Sequence, residues 1–145
     1  MKPSPRLADF LPYLLSVASN AVSDRIASQY QERFDLKIAE WRVMAVLGDS
    51  GPHTQRELSE LTLMDKVAVN RACKTLFDKE FVSRRPNTRD GRSHLIDLTR
   101  SGKATFEEIM PLAQQMETRL FDALDADEKS QLKDILRKIA ARARP

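Results

Sequence analysis

The feature that most constrains this chain is the stretch from Thr54 to Thr99, which combines two capped helical segments with a hairpin. Thr54 and Glu57 have the spacing of a capping box, and Asp65 stands where the cap of a second helix is expected. Two short helices that precede a basic ribbon suit a DNA groove and the phosphate backbone beside it. The pattern therefore predicts a DNA-binding module.

The hairpin predicted after the second helix carries much positive charge at its tip. Alternating apolar and polar residues predict strands over 81–85 and 94–98, with Asp90-Gly91 as the turn signal between them. A charged hairpin facing solvent would alone account for four nearby arginines. Its position beside a capped helix pair favours phosphate and minor-groove contact instead. These arginines are Arg84, Arg85, Arg89 and Arg92.

Charge is concentrated in the same region of the chain. The net charge is +3 over 145 residues, but residues 53–103 alone hold eleven Lys or Arg against seven Asp or Glu. That segment is therefore at +4 and the remainder at −1. A surface polarised in this way indicates a polyanionic partner rather than general solubility.

Other function classes find little support. The composition is that of one globular domain, and nucleophile-elbow, Walker, zinc-protease and Cys/His motifs are absent, which argues against an enzyme. His53 and His94 have no neighbours at metal-ligand spacing, so neither a metal nor a cofactor is expected. The single cysteine and the lack of a membrane-length apolar run favour the cytoplasm.

The helix after Asp65 has one apolar and one polar face. Its apolar face is predicted to bury Val69, Ala72, Cys73, Leu76 and Phe77, while Lys66, Asn70, Arg71 and Lys74 form the other face. The Asn70 amide could read adenine, because it can donate and accept at the same base edge. Arg71 could instead pair with Asp65 or Asp78. The first short helix is predicted to bury Leu58 and Leu61. Thr54 and Gln55 start this helix and could also contact phosphate.

Helical patterns flank this module on both sides. One helix is predicted from Leu7 to about Gln31, and a second over 38–47. A long helix from Thr99 to about 124 is expected to kink at Pro111, and a final helix follows the Asp125 cap. The first helix is longer than a small domain needs for its own core, so part of it is expected to face a partner.

The run Asp90-Gly91-Arg92-Ser93-His94-Leu95-Ile96-Asp97-Leu98-Thr99-Arg100-Ser101-Gly102 resembles the wing signature of the MarR family of bacterial transcriptional regulators. Asp65-Lys66-x-x-Val69-x-Arg71 and Trp41-Arg42-Val43 fit the same family in order and place. The resemblance implies a mainly α fold with a small β-hairpin wing. In that single domain, a winged helix-turn-helix lobe (about 38–99) joins dimerisation helices (about 7–33 and 100–143).

The resemblance also implies a function. Such a protein would be a homodimer that binds a near-palindromic operator, with the helix after Asp65 in the major groove and Arg92 in the minor groove. Asp90 would orient the wing arginines, and His94 would lie beside them. The expected mechanism is repression that a small ligand, often aromatic or phenolic in this family, relieves. Residues that could line the effector pocket are Phe10, Tyr13, Tyr30, Trp41 and Arg42, although ordinary core packing would also explain each of them.

The chain departs from the family pattern in two places, at residues 67–68 and at residue 80. Val67 and Ala68 replace the small hydroxyl residues that often begin the recognition helix, so they could touch a thymine methyl rather than make polar base contacts. Glu80 stands where glycine usually precedes the first wing strand. A left-handed conformation there would cost about 1 kcal/mol. A winged-helix module whose arginines bind an acidic partner protein remains the alternative function.

Overall fold

The computed structural model describes residues 3–4 and 6–145, so Met1, Lys2 and Pro5 lie outside the described residues. A 3-10 turn, Leu7–Asp9, precedes the helices and strands. These are α1 Leu11–Ala27, α2 Gln31–Phe34, α3 Ile38–Ser50, α4 Gln55–Thr62, α5 Lys66–Asp78, β1 Val82–Pro86, β2 His94–Leu98, α6 Arg100–Phe121 and α7 Ala126–Ala143. The predicted class, mainly helical with one β-hairpin, is confirmed.

The N-terminal helix is shorter than its periodicity suggests. Instead of one helix from Leu7, α1 begins at Leu11, which places Pro12 in the first turn. Backbone amides of the first turn have no acceptor within the helix, so the missing amide of proline costs no hydrogen bond there. At the other end the chain turns after Ala27 before α2 forms. Asp35 then adopts a left-handed conformation with φ 52° and leads the chain into α3.

Four predicted helix caps are confirmed. The side chains of Thr54, Asp65, Thr99 and Asp125 each accept a hydrogen bond from the backbone of the third residue of their helix. Two predicted ends differ, because α3 continues to Ser50 and α6 already ends at Phe121. Pro111 lies within an unbroken α6.

The β-ribbon is antiparallel, with Val82 opposite Leu98 and Pro86 opposite His94. His53 extends this ribbon by exchanging two backbone hydrogen bonds with Ile96, at 3.0 and 2.8 Å. The start of α4 is therefore joined directly to β2. This join fixes the position of the helix-turn-helix relative to the wing.

One hydrophobic core joins α3, α4, α5, the ribbon and the middle of α6. Val43, Met44, Leu58, Leu76 and Ile109 are fully buried there. Beside them the Trp41 ring packs between Tyr30 and Phe106, with centroid distances of 5.4 and 5.8 Å. Burial of large aromatic surfaces of this kind dominates core energetics.

Two residues expected inside lie at the surface. Leu61 is 48% exposed and Phe77 is 43% exposed, so the elements packed beside α4 and α5 cover each of these side chains only in part. Helical periodicity places both on apolar faces but does not show how far the covering elements extend. Within the described residues, no helix is both long and apolar enough to cross a membrane.

Candidate nucleic-acid interface

The start of α4 forms one edge of the candidate interface. The Thr54 hydroxyl accepts from the Glu57 amide at 3.1 Å, and the Glu57 carboxylate accepts from the Thr54 amide at 3.0 Å. The second bond is the main reason why the pKa of Glu57 lies below its usual value. This capping box fixes Thr54 and Gln55 at the helix N-terminus, whose amide groups favour an anion.

The outer face of α5 forms the middle of the interface. Lys66, Asn70, Arg71 and Lys74 are all exposed, and Val67 beside them is 60% exposed. Ala68 is half-buried, and its amide donates to the Asp65 cap at 2.7 Å. Within the part of the chain that the structure describes, Arg71 forms no salt bridge with Asp65, Asp78 or any other carboxylate. Its guanidinium is therefore available to a ligand.

Two grooves separate α4 and α5 from the ribbon. The first has a volume of about 320 Å³ and brings Gln55 of α4, Asn70 and Lys74 of α5, and Arg84 of β1 to one surface. The second, also about 320 Å³, runs from Thr54 and Gln55 to Arg92 and His94 of the ribbon. Residues separated by up to forty positions in sequence thus line one continuous basic surface.

The wing tip is built from two consecutive turns. The Asp90 amide donates to the Asn87 carbonyl at 3.2 Å, and the Ser93 amide donates to the Asp90 carbonyl at 3.2 Å. The Asp90 carboxylate accepts from the backbone amide of Arg92 at 3.0 Å. Asp90 thus orients the arginine segment through the backbone, without a side-chain ion pair. Gly91 does not have a positive φ, so this turn does not depend on glycine.

The wing arginines remain exposed and unpaired. Arg84, Arg85, Arg89 and Arg92 are exposed, and none forms a salt bridge to a carboxylate of the described residues. His94 is also exposed, at the first position of β2. Unpaired guanidinium groups at the tip of a ribbon are suited to phosphate oxygens or a narrow minor groove.

Glu80 has the left-handed conformation that its place before the first wing strand suggested, with φ 62°. The Glu80 amide donates to the Phe77 carbonyl, and the Phe81 amide donates to the Leu76 carbonyl at 2.9 Å. These two bonds form a Schellman motif that ends α5, in which glycine is the usual residue at this position. The Thr99 hydroxyl also donates to the Glu80 carbonyl at 2.6 Å and holds the turn against the start of α6.

Cys73 and His53 have structural environments. Cys73 is buried on the inner face of α5, and burial raises the pKa of its thiol to about 11, so it is protonated at neutral pH. The His53 ring lies 2.8 Å from the Ser50 hydroxyl and 3.5 Å from the Glu57 carboxylate. Among the described residues, no group of His, Cys, Asp and Glu side chains is arranged to hold a metal ion.

The structure does not bring the five effector candidates together within one chain. Tyr30 and Trp41 are buried in the core, and burial raises the pKa of Tyr30 to about 12. Arg42 lies at the seam between α1 and α3, where it donates to the Ser23 hydroxyl at 3.3 Å. Phe10 and Tyr13 are exposed near the start of α1, and Tyr13 lies about 15 Å along the helix from that seam.

Sequence reasoning missed two residues that line the grooves of the candidate interface. Arg56 lines the second groove although it pairs with Glu60 at 3.3 Å, and Phe77 lines the first groove below Arg84. Arg56 directly follows Thr54 and Gln55, which were predicted to contact phosphate, so its positive charge could have indicated the same role. Phe77 gave no such signal, because aromatic residues at helical spacing usually belong to the core.

Comparison with known proteins agrees with this architecture. A family model described as "MarR family" matches residues 34–93. The multiple antibiotic resistance protein MarR of Escherichia coli is 31% identical over 121 residues, which cover 83% of this chain and 84% of that protein. The HTH-type transcriptional repressor NicR of Pseudomonas putida is 30% identical over 66% of this chain and 61% of NicR.

A solved structure supports the same conclusion. A mutant MarR from E. coli, crystallised in complex with operator DNA, superimposes with a TM-score of 0.77 at 28% identity. The superposition covers 94% of this chain and 99% of that one. The capped helix pair, the wing and these similarities lead to one conclusion: the chain belongs to the MarR family of transcriptional regulators.

Proposed function

We propose that this protein is a homodimeric repressor that binds a near-palindromic operator. In each protomer, α5 would enter the major groove, and the wing would reach the adjacent minor groove through Arg92. The observation that carries this proposal is the convergence of Gln55, Asn70, Lys74, Arg84 and Arg92 on two adjoining grooves. Unpaired cations beside an exposed helix face meet the two needs of DNA recognition, which are phosphate neutralisation and access to base edges.

The exposed side chains divide by role. Val67, Ala68 and Asn70 near the start of α5 would contact base edges, with Val67 and Ala68 suited to a thymine methyl. Asp90 would act on the wing backbone, and His94 would support the wing beside the phosphates. The residues proposed for phosphate contact are Thr54, Gln55, Lys66, Arg71, Lys74, Arg84, Arg85 and Arg89.

The terminal helices would form the dimer. On α1, Leu11 is 76% exposed and Val17 is 48% exposed, and on α7 Ile135 is 51% exposed. Within the described residues α7 makes only sparse contacts with other elements. A cleft of about 340 Å³ between α6 and α7, lined by Phe121 and Leu132, adds further apolar surface. Apolar faces of this extent mark interaction sites, and a second copy of the chain would cover them.

This division assigns a lobe (about 38–99) to DNA and the terminal helices (about 7–33 and 100–143) to the dimer. Two lobes related by a twofold axis would bind half-sites about one DNA turn apart. A small aromatic ligand near the seam between α1 and α3 would change the lobe spacing. Such a ligand lowers DNA affinity only as far as it prefers the spacing that does not fit the operator. A regulator of this kind would act in the cytoplasm.

Binding to DNA from the region upstream of the protein's own gene tests the proposal. We expect tight binding that weakens steeply with salt and survives an excess of random duplex. Binding that random duplex abolishes would leave only a non-specific basic surface. If acidic proteins competed better than DNA, the interaction-module alternative would replace the repressor.

A substitution tests the base-reading role of Asn70. The Asn70→Ala variant should lose discrimination at one or two base positions, worth about 1–3 kcal/mol each, with little change in salt dependence. Lys74→Ala, on the same helix face, is the matched control. Loss of a phosphate contact should reduce the slope of the logarithm of the binding constant against the logarithm of the salt concentration (the salt slope) equally for every DNA sequence. An Asn70→Ala variant that selects the same sequences as the wild type would remove Asn70 from the base readers.

A further inference from the structure

Phe77 and Arg84 form a contact between α5 and the wing. Phe77 lies in the last turn of α5, where 43% of its surface remains exposed. The guanidinium carbon of Arg84, from β1, lies 4.9 Å from the centroid of the Phe77 ring. This distance is within the range of a cation–π interaction, which arginine makes by laying its planar group over the ring.

The register of the ribbon explains why Arg84 makes this contact and Arg85 does not. Arg84 is opposite Ile96, and both share a face with the buried Val82, because alternate residues of a strand point to the same side. That face lies against α5. Arg85 is opposite Leu95 and points to the other side of the ribbon. The chain therefore offers two adjacent arginines of equal charge, of which Arg84 lies over the Phe77 ring and Arg85 does not.

The Arg84 guanidinium keeps its charge unpaired while it lies over the ring. Within the described residues Arg84 forms no salt bridge, and its guanidinium carbon lies 4.9 Å from the centroid of the Phe77 ring. Arginine donors lie in that plane and match the oxygens of a phosphate in pairs. Arg84 also lines both grooves, so its guanidinium group lies where α5 and the wing meet.

Holding this side chain before DNA arrives has a physical consequence. A free arginine loses rotamer freedom when it binds, and this ordering opposes association. A side chain already held by an aromatic ring loses less. Pre-ordering of Arg84 requires an aromatic ring that is exposed at residue 77. The apolar pattern of α5 would place this residue in the core, so the core does not explain why it is exposed.

We propose that Phe77 is a positioning residue for DNA binding. Its ring holds the Arg84 guanidinium at the junction of the two grooves, ready to bind one phosphate of the DNA backbone. The inference rests on the proposed function, because it assigns a role to a residue of the same interface. Phe77 acts through Arg84 and makes no contact with the bases.

A double-mutant cycle on DNA binding tests this role. The variants are Phe77→Leu, Arg84→Ala and the pair, titrated across a KCl series with a duplex that the wild-type protein selects from a random library. Phe77→Leu should weaken binding by about two- to five-fold, as expected for an exposed cation–π contact. Phe77→Tyr should restore wild-type affinity, because tyrosine keeps the ring face. In the Arg84→Ala background, Phe77→Leu should have no further effect.

Arg85→Ala provides the matched control. Loss of the Arg85 side chain should lower DNA affinity and the salt slope. Phe77→Leu should nevertheless weaken DNA binding by the same factor in the Arg85→Ala protein as in the wild type. Equal melting temperatures of all variants would exclude unfolding as the cause. Phe77 is half-exposed, so the leucine variant is expected to fold.

Three results would overturn the proposal, each at a different level. If Phe77→Leu binds as the wild type does, or weakens the Arg84→Ala protein by the same factor, Phe77 does not act through Arg84. If Arg84→Ala leaves affinity and salt slope unchanged while the wild type binds, Arg84 is not a phosphate contact. If the wild type selects no duplex, the proposed function itself fails.

Discussion

The DNA-binding lobe and the terminal helices use the same local signals but complete their cores differently. In the lobe, Leu58, Leu76 and Ile96 are at most 1% exposed, because α3, α4, α5 and the ribbon cover one another. At the ends of the chain, Leu11 and Ile135 are 76% and 51% exposed. The α7 helix nevertheless has a complete capping box. Caps and periodicity therefore determine that a helix forms, whereas its packing depends on surfaces that a single chain need not supply.

The largest expected effect tests whether a second copy covers the terminal helices. Ile135→Asp should dissociate the dimer and weaken binding to a two-half-site operator by about 10²–10⁴-fold, because each lobe would then bind alone. Sedimentation analysis and DNA titration would measure both changes. Ser130→Asp adds the same charge at an exposed site on the far side of α7 and should change neither. An Ile135→Asp protein that stays dimeric would remove α7 from the interface.

The second prediction compares the two regions by stability. Leu76→Ala should lower the free energy of unfolding by about 2–5 kcal/mol, because it opens a cavity in a fully buried site. Leu11→Ala, made in the monomeric Ile135→Asp background, should change it by about 0.5 kcal/mol or less. Denaturant titration would measure both values. Equal losses would mean that the terminal helices have a core of their own within one chain.

The third prediction concerns the wing. Arg92→Ala should weaken binding to every duplex and reduce the salt slope by about 1, because one phosphate-region contact is lost. Titration in a salt series would measure both quantities. The lobe should keep its stability, since Arg92 is exposed and its side chain supports no part of the core. Unchanged affinity and slope would contradict the placement of the wing against DNA.

The smallest predicted effect lies within the lobe. Glu80→Gly should raise the free energy of unfolding by about 1 kcal/mol, because Glu80 holds a left-handed conformation that costs glycine nothing. Glu60→Gly, in the second half of α4, should lower it by a similar amount, since glycine weakens a helix and the exposed pair with Arg56 contributes little. Thermal and denaturant unfolding of the two variants should therefore shift in opposite directions. A loss of stability in Glu80→Gly would show that the side chain makes a compensating contact.

Local features of the sequence were predictable because their causes are local. The caps at Thr54, Asp65, Thr99 and Asp125 depend on residues three positions apart, and the wing strands depend on alternation over five residues. The family resemblance rested on the wing motif, and it led correctly to the MarR family.

The remaining features depend on contacts between distant segments. Periodicity placed Phe77 and Leu61 on inner faces, but the covering elements stop short of both residues. The grooves form only when Gln55, Arg84 and Ile96 meet, and no local pattern encodes that meeting. The effector candidates rested on the family resemblance, and in one chain they lie partly in the core and partly on the surface.

The junction between the wing and α6 has a mechanical consequence. A Cβ atom at Gly102 would overlap the carbonyl oxygen of Phe81, and the Thr99 amide donates to that same oxygen at 3.0 Å. The first turn of α6 is therefore fixed to the start of the wing, while its far end lies beside α7. A helix of 22 residues is about 33 Å long, so a tilt of about 10° at this junction displaces the far end by about 6 Å. A rigid α6 would therefore act as a lever arm, which converts a small rotation at one end into a displacement comparable to the rise of one helical turn.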